Sequence, residues 1–275
     1  MTHDHARHAH HDDLAQILDL DAEVFAPALD TVYADIALAA DGPIRTILDL
    51  GAGTGTGTFG LLRHFEDARA TAVDASPEML AHLGREAARL GLGDRATTLV
   101  ADLDQQVPDV EPVDLVWASA SLHHLADPDR TLAEVVRLVR PGGLMAVLEL
   151  DGFPRFVPDD APGGAAEARA HALIDADRAV DMPSMGSDWG ARLTKAGLDV
   201  EQHRSVVLQL TAPLPEVVGR YAAATLTRVA GAVAERLEPE DAAALDALLD
   251  GGPDDVRHRP DLRVGAERQL WIARL

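Results

Sequence analysis

Short apolar runs alternate with helical-period segments through the first 150 residues of the chain. Ile47 to Leu50, Ala70 to Asp74, Thr97 to Ala101, the start of Val113–Leu125 and Leu144 to Leu150 are largely apolar runs, each followed by a polar or glycine-containing turn or loop. That pattern predicts five buried strands. Between the second and third, Met79, Leu80, Leu83, Ala87 and Leu90 recur at helical spacing, behind Ser76 as N-cap and Pro77 as first helical residue, and Gly91 ends the segment. Asp127-Pro128 opens a further helix carrying Leu132, Val135, Val136 and Val139, which Pro141-Gly142-Gly143 is expected to stop. Strand and helix alternating in this way imply an α/β architecture, with a parallel sheet whose strand carboxyl ends carry the ligand.

The junction after the first strand is the most informative. Gly51-Ala52-Gly53-Thr54-Gly55-Thr56-Gly57 alternates glycine with small residues. Glycine alone permits positive φ at no steric cost and lets a ligand lie against bare backbone. A dinucleotide site is one reading, because Gly55-Thr56-Gly57-Thr58-Phe59-Gly60 satisfies Gly-x-Gly-x-x-Gly. Its fingerprint should begin where the strand stops, at Leu50, and counted from there Thr56 stands where the third glycine belongs. The second strand ends in Asp74, about 20 residues past the turn, the place of a ribose-binding acid. Asp102 follows the third strand in the same manner.

Asp49 before the glycines, Asp74, Asp102, Leu122-His123-His124 after the fourth strand, Asp127-Pro128 and the Pro141-Gly142-Gly143 turn together resemble the class I methyltransferases that use S-adenosylmethionine (SAM), in their small-molecule, ubiquinone-type and natural-product branch. The resemblance spans roughly residues 45 to 150 as an ordered set of motifs. It implies a Rossmann-like, doubly wound sheet of seven strands, parallel except for an antiparallel last strand. It also implies SAM as cofactor and S-adenosylhomocysteine as product. The cofactor contacts it implies are Asp49, Gly51, Ala52, Gly53, Gly55, Asp74, Ala75, Met79, Asp102, Leu103, Ala118 and Ser119, with Asp74 on the ribose hydroxyls and Asp102 at the adenine amino group.

Outside this core, residues 13–40 read as one or two amphipathic helices interrupted near Pro27, which in such proteins fold over the cofactor. Residues 152–183 are too long for a simple connection and hold a helical stretch from Ala165 to Val180. Asp188 to Ala196 is a helix before a strand from Val200 to Leu210; residues 213–257 are largely helical, with Val217, Tyr221, Leu226, Val229 and Val233 apolar; Gln269 to Arg274 is the last strand. The two helical insertions are expected to form a substrate lid within a single domain of residues 13–275. His3, His5, His8, His10 and His11 lie in a polar tract without periodicity, read as a disordered tail over residues 1–12.

Composition narrows the partners. A formal net charge of −22 over 275 residues argues against a nucleic-acid backbone. No window approaches a transmembrane length, and the amino terminus is rich in His and Asp rather than basic and then apolar, so the expected location is the cytoplasm. The absence of cysteine excludes disulfides, thiolate metal sites and cysteine nucleophiles. The oligomeric state is open, a homodimer included.

Methyl transfer from a sulfonium is an in-line displacement from an activated donor, so positioning supplies much of the acceleration and a base is optional. His123 and His124 are the candidates for one. Tyr33, His123, Glu149, His171, Trp189 and Tyr221 are weaker candidates for the substrate pocket; Trp117 and Trp271 read as core. Ala118-Ser119-Ala120-Ser121 lacks both the Asn/Asp-Pro-Pro-aromatic run of nucleic-acid amino methylases and the carboxylates that would hold magnesium, so no metal is expected. The acceptor expected is a small, neutral or cationic, partly apolar molecule, with O, N and C methylation all open. The rival classes are an NAD(P)-dependent oxidoreductase and a SAM-binding protein without turnover.

Overall fold

The computed structural model describes residues 13–275 with their side chains; the reading of residues 1–12 as a disordered tail lies outside the described residues. The helices are α1 (Thr2–Ala39), α2 (Thr56–His64), α3 (Pro77–Arg89), α4 (Pro128–Val135), α5 (Gly164–Asp181), α6 (Trp189–Ala196), α7 (Glu216–Val233) and α8 (Pro239–Ala247). The strands are β1 (Thr46–Leu50), β2 (Arg69–Asp74), β3 (Ala96–Val100), β4 (Val113–Ser119), β5 (Val139–Leu150), β6 (Asp199–Thr211) and β7 (Arg263–Arg274). They form one sheet in the order β3-β2-β1-β4-β5-β7-β6. The pairs among β1 to β5 are parallel, and β7 runs antiparallel to β5 with Leu144 opposite Arg274. The expected Rossmann-like architecture is the one observed.

The chain divides into two compact units, one of Ala26–Leu150, Ser184–Val206 and Arg268–Leu275, the other of Met1–Phe25, Asp151–Pro183 and Val207–Glu267. In the first, β1 and β4 are almost wholly buried, as strands covered on both faces must be. Leu48, Leu50, Val116, Met145 and Val147 pack there with Leu132, Val135 and Leu193 from α4 and α6. The helices begin where local chemistry dictates. Ser76 Oγ accepts the Met79 N–H, Asp127 accepts the Arg130 N–H and Asp188 accepts the Ala191 N–H, each satisfying a donor that the first turn leaves open. Gly197, at φ 104°, closes α6.

The second unit is mainly helical. Glu167 of α5 is fully buried and accepts the N–H groups of Phe156 and Val157, both at 2.9 Å, so it anchors the chain that leaves β5. Tyr221 of α7 sets its ring edge-on to Phe156, centroids 5.4 Å apart, and donates its hydroxyl to Asp21 Oδ1 at 2.6 Å. Arg169 forks onto Asp241 of α8. No helix among the described residues is long and apolar enough to cross a membrane.

Three local expectations are corrected. The helix α1 runs through Pro27 rather than breaking there. Proline removes one backbone bond and crowds the preceding turn, but Val24, Phe25, Leu29, Val32, Tyr33 and Ile36 are buried on both sides of it, and packing of that face outweighs the local cost. Leu90 is exposed at the end of α3, not on its core face. The helix after β4 stops at a 3₁₀ turn over Val136–Leu138, and β5 already begins at Val139, with Pro141 and Gly142 inside the strand.

Candidate functional site

The strand order reverses between β1 and β4, and a crevice at the carboxyl ends of such strands is where open α/β sheets bind ligands. The glycine turn lies there. Gly51 and Gly55 have φ of 70° and 88°, conformations that a side chain resists. Space is also short. A Cβ on Gly51 would lie 2.4 Å from Ser121 Cβ, and one on Gly55 would lie 2.4 Å from Leu83 Cγ. The Gly51 and Ala52 N–H groups donate to the Val73 carbonyl at 2.8 and 2.9 Å, so the turn folds back onto the end of β2.

Asp74, at that strand end, stitches the turn to the start of α3: Oδ2 accepts the Gly53 N–H and Oδ1 the Ser76 N–H, both at 2.8 Å. Each oxygen retains a lone pair, which suits the two hydroxyls of a ribose. Ala75 beside it is exposed, whereas Met79 on α3 is buried. Asp102 is exposed past β3, accepting the Asp104 N–H at 3.0 Å and the Gln105 side-chain amide at 2.8 Å. Its neighbour Leu103 is half-buried, and Arg130 Nη2 donates to the Leu103 carbonyl at 3.1 Å, which pins this loop to α4.

Asp49 is different. It is sealed under the turn, accepting the Thr58 hydroxyl at 2.5 Å. Burial pushes its carboxyl up to about 7; the nearby charge of Asp74 adds to this and the Thr58 bond opposes it. Its observed work is to hold the first turn of α2.

The end of β4 carries the other half of the site. Ala118 is buried and Ser119 half-buried at the strand end. Ala120 adopts φ 49°, the one positive φ outside glycine among the described residues. The strain is held by the Ala120 N–H donating to the Leu148 carbonyl and by Ser121 Oγ donating to the Leu50 carbonyl, both at 2.8 Å. Next, a 3₁₀ turn over Leu122–His124 presents two imidazoles whose centroids are 4.2 Å apart. His123 is buried, and its Nδ1 lies 2.6 Å from Glu149 Oε2, while Glu149 Oε1 accepts the N–H groups of Leu122 at 2.8 Å and Ser121 at 3.1 Å.

Glu149 is therefore a buried brace for the loop rather than a residue lining a pocket. Tyr33, also read as a pocket residue, is buried with its ring 6.0 Å from that of Trp117, and a Cβ on Gly60 would meet its hydroxyl at 2.3 Å. Burial raises its phenol above the usual range. Trp189 sits in the hydrophobic core with Leu193 and Leu198. His171 and Tyr221 belong to the helical unit, both buried, His171 with Nε2 3.8 Å from Glu167 Oε1. Burial first, then the charges of Arg155 and Arg178, press the His171 imidazole down to about 4.

Sequence reasoning missed the pairing of Glu149 with His123 and the tie from Ser121 to Leu50. A lone acid closing the apolar run from Leu144 to Leu150 was the available signal. The Thr54 hydroxyl, inside the glycine turn, and Trp117 Nε1 are buried without a hydrogen-bond partner. Together with the turn, two acids at successive strand ends and a half-buried apolar neighbour, these groups fit a nucleoside joined to a polar tail. Among the described residues no group of three His, Asp or Glu side chains is placed to hold a metal ion.

The fold is Rossmann-like, and the glycine turn lies at its β1/β4 switch point. Residues 47–143 match the family model described as a methyltransferase domain. A trans-aconitate 2-methyltransferase of Azoarcus sp. (strain BH72) is 38% identical over 102 residues, 37% of this chain and 38% of the relative. A malonyl-[acyl-carrier protein] O-methyltransferase of Laribacter hongkongensis (strain HLHK9) is 35% identical over 185 residues, 63% of this chain and 58% of the relative. The chain thus spans less than two thirds of either relative. A geranyl diphosphate C-methyltransferase of Streptomyces coelicolor A3(2), solved with Mg²⁺, geranyl diphosphate and S-adenosyl-L-homocysteine, shares the fold at a TM-score of 0.52 and 16% identity, over 90% of this chain and 76% of that one.

Proposed function

We propose that the protein transfers a methyl group from SAM to a small-molecule acceptor. The observation that carries this reading is the glycine turn held by Asp74, with Asp102 at the next strand end, inside a segment that matches the methyltransferase domain. Asp74 would hold the ribose through the lone pairs its backbone bonds leave free, Asp102 and Leu103 would meet the adenine, and Met79, Ala75, Ala118 and Ser119 would complete the walls. The bare backbone from Gly51 to Gly55, Ala52 included, would face the amino-acid tail. Asp49 supports this set from beneath rather than touching it.

When bound, SAM supplies an activated methyl group on a sulfonium. The work left to this chain is to hold the acceptor in line and exclude water. His123 and His124 would lie at the methyl side; their loop is tied to the end of β1 through Ser121. Two relatives act, by their names, on trans-aconitate and on malonyl-acyl-carrier protein, which supports a small metabolite or carrier-borne acyl group here over a nucleic acid.

Titration calorimetry with SAM, S-adenosylhomocysteine, NAD and NADP tests the cofactor. Micromolar binding of the first two and none of the last two is expected; heat only with a dinucleotide would replace this reading with an oxidoreductase. Mass spectrometry of acceptor mixtures incubated with SAM then looks for a 14-dalton gain, which a SAM-binding protein without turnover would not produce.

A further inference from the structure

Within the helical unit, four buried side-chain polar atoms among the described residues make no hydrogen bond: Arg155 Nε, His171 Nε2, Arg178 Nη1 and Thr225 Oγ1. Arginine nitrogens can only donate, and a hydroxyl or a neutral imidazole can donate as well. Buried donors left unpaired cost stability, so several together mark a place where a ligand supplies the acceptors. Arg155 has carboxylates at hand, with Glu167 Oε2 3.5 Å from its Nε and Asp159 Oδ1 accepting from its Nη2 at 3.0 Å. His171, Arg178 and Thr225 do not. Glu167 spends its oxygens on the Phe156 and Val157 N–H groups and stands 3.8 Å from His171 Nε2, and Asp175, on the solvent side, is 3.7 Å from Arg178 Nη1.

His171 and Arg178 lie two turns apart on one face of α5, and long helical side chains lean toward the helix N-terminus, which carries the Arg178 guanidinium back toward His171. The guanidinium lies over the Phe153 ring. On α7, which packs against α5, Thr225 stands one turn before Arg228, whose charge reaches Arg178. The charges of Arg155 and Arg178 both bear on His171, and burial lowers the Arg178 guanidinium to about 10. A chain of net charge −22 thus holds a positive, acceptor-poor spot inside its helical unit. The spot is open on its arginine side: the side chains of Arg178 and Arg155 keep 17% and 28% of their exposure and Arg228 is exposed, whereas His171 and Thr225 are buried.

We propose that Arg178, with His171 Nε2 and the Thr225 hydroxyl, forms a binding site for the carboxylate of a small organic acid, the guanidinium forking onto its two oxygens. One desolvated guanidinium balances one negative charge, which suits a carboxylate rather than a doubly charged phosphate, and the Phe153 ring beside it suits an apolar stem. Binding there needs neither SAM nor turnover, so the site goes beyond the methyltransferase reading and stands or falls apart from it.

Titration calorimetry of the whole protein at constant ionic strength sets benzoate and hexanoate against benzamide, hexanamide and inorganic phosphate. The acids are expected to bind at least about tenfold more tightly than the amides or phosphate, and Arg178→Met, which keeps an apolar stem over Phe153, should remove that preference. In protein labelled with ¹⁵N-histidine, saturating benzoate should move the His171 resonances and raise the pH at which that ring titrates, because an anion favours the imidazolium. No binding of either acid, an equal response to acid and amide, a preference for phosphate, or shifts confined to other histidines would overturn the proposal.

Stability gives a second arm that needs no ligand. Arg178→Met removes a desolvated cation that has no bonded partner, so Tm of the free protein should hold or rise. A fall beyond about 4 °C, or a variant that does not fold, would make Arg178 a structural part of the unit and overturn the assignment. Failure to bind SAM would sink the methyltransferase reading and leave the carboxylate site untouched.

Discussion

Replacing Asp74 by Ala separates two jobs that the structure assigns to one carboxylate. The first is structural: two N–H groups, of Gly53 and Ser76, donate to it at 2.8 Å and lose their partner. Hydrogen bonds to a charged group contribute about 1.5–3 kcal/mol each, and because the site is half-buried water recovers part of that, leaving a loss of roughly 2–4 kcal/mol. At this chain size that lowers Tm by about 5–10 °C in the absence of ligand. The second job is the ribose, worth a further ~1–3 kcal/mol, which raises the Kd for SAM by about 5- to 150-fold. Scanning calorimetry of the ligand-free protein reads the first and titration with S-adenosylhomocysteine the second. Asp74→Asn keeps one oxygen acceptor but turns an NH₂ toward the other backbone donor, so it should fall between wild type and Ala in both. A lowered Tm with Kd within twofold of wild type would refute the ribose assignment and leave Asp74 as a loop brace. An unchanged Tm would refute the structural reasoning itself.

Asp49, pushed to about 7 by burial, keeps a proton in the folded state that the unfolded chain has already lost above about pH 4, so its contribution to stability falls as pH rises through that window. The Tm of wild type relative to Asp49→Asn should therefore decline between about pH 4 and 7; a flat difference would show the carboxyl to be unshifted. His171 has the opposite sense. Pressed down to about 4, it stays neutral while the unfolded chain gains a proton, so stability is lost as pH falls from about 6.5, and His171→Gln should flatten that limb of a Tm–pH curve. Gly51→Ala meets both positive φ and the Ser121 side chain, whereas Gly142→Ala meets positive φ in open space. The first should cost about 2–4 kcal/mol in urea unfolding and the second about 1 kcal/mol, and equal losses would mean that the contact over Gly51 is easily relieved. With a net charge of −22, Tm should rise with monovalent salt up to about 1 M, where exposed charges are screened within about 3 Å; a fall would point to ion pairs outweighing the repulsion.

The elements that were legible in the sequence are those decided within a few residues. Ser76-Pro77 and Asp127-Pro128 mark helix starts because a cap and its N–H partner lie three apart, and both bonds are present. Short apolar runs between turn residues gave β1 to β3 to within a residue or two, and the start of β4 at Val113. Two of the misreadings share a cause. Pro27 lies inside α1 and Pro141 inside β5, and each is tolerated because distant chain covers or pairs with its surroundings, Gly142 N–H donating to the Leu275 carbonyl, for example. Proline is a strong local signal that tertiary packing can overrule.

The carboxylates set in apolar strands show where sequence reasoning stops. Asp49, Asp114 and Glu149 look alike in the chain: one acid within or at the end of a run of buried aliphatics, where an unpaired charge would be costly. Each must have partners, and that much can be known in advance. Asp114 accepts the Arg45 and Thr46 N–H groups and the Thr46 hydroxyl, with Arg140 at 2.6 Å, and these bonds outweigh its burial and hold it below the usual carboxylate range. Asp49 has one hydroxyl and rises instead. Glu149 takes two loop amides and an imidazole. The difference between a clamp at the start of a strand, a buried acid under a turn and a residue that orients a histidine is set by what strand register and loop path bring to each carboxylate. His123 is 26 residues from Glu149, and only the parallel pairing of β4 with β5, Ser119 opposite Leu148, delivers the loop after one strand to the acid at the end of the next.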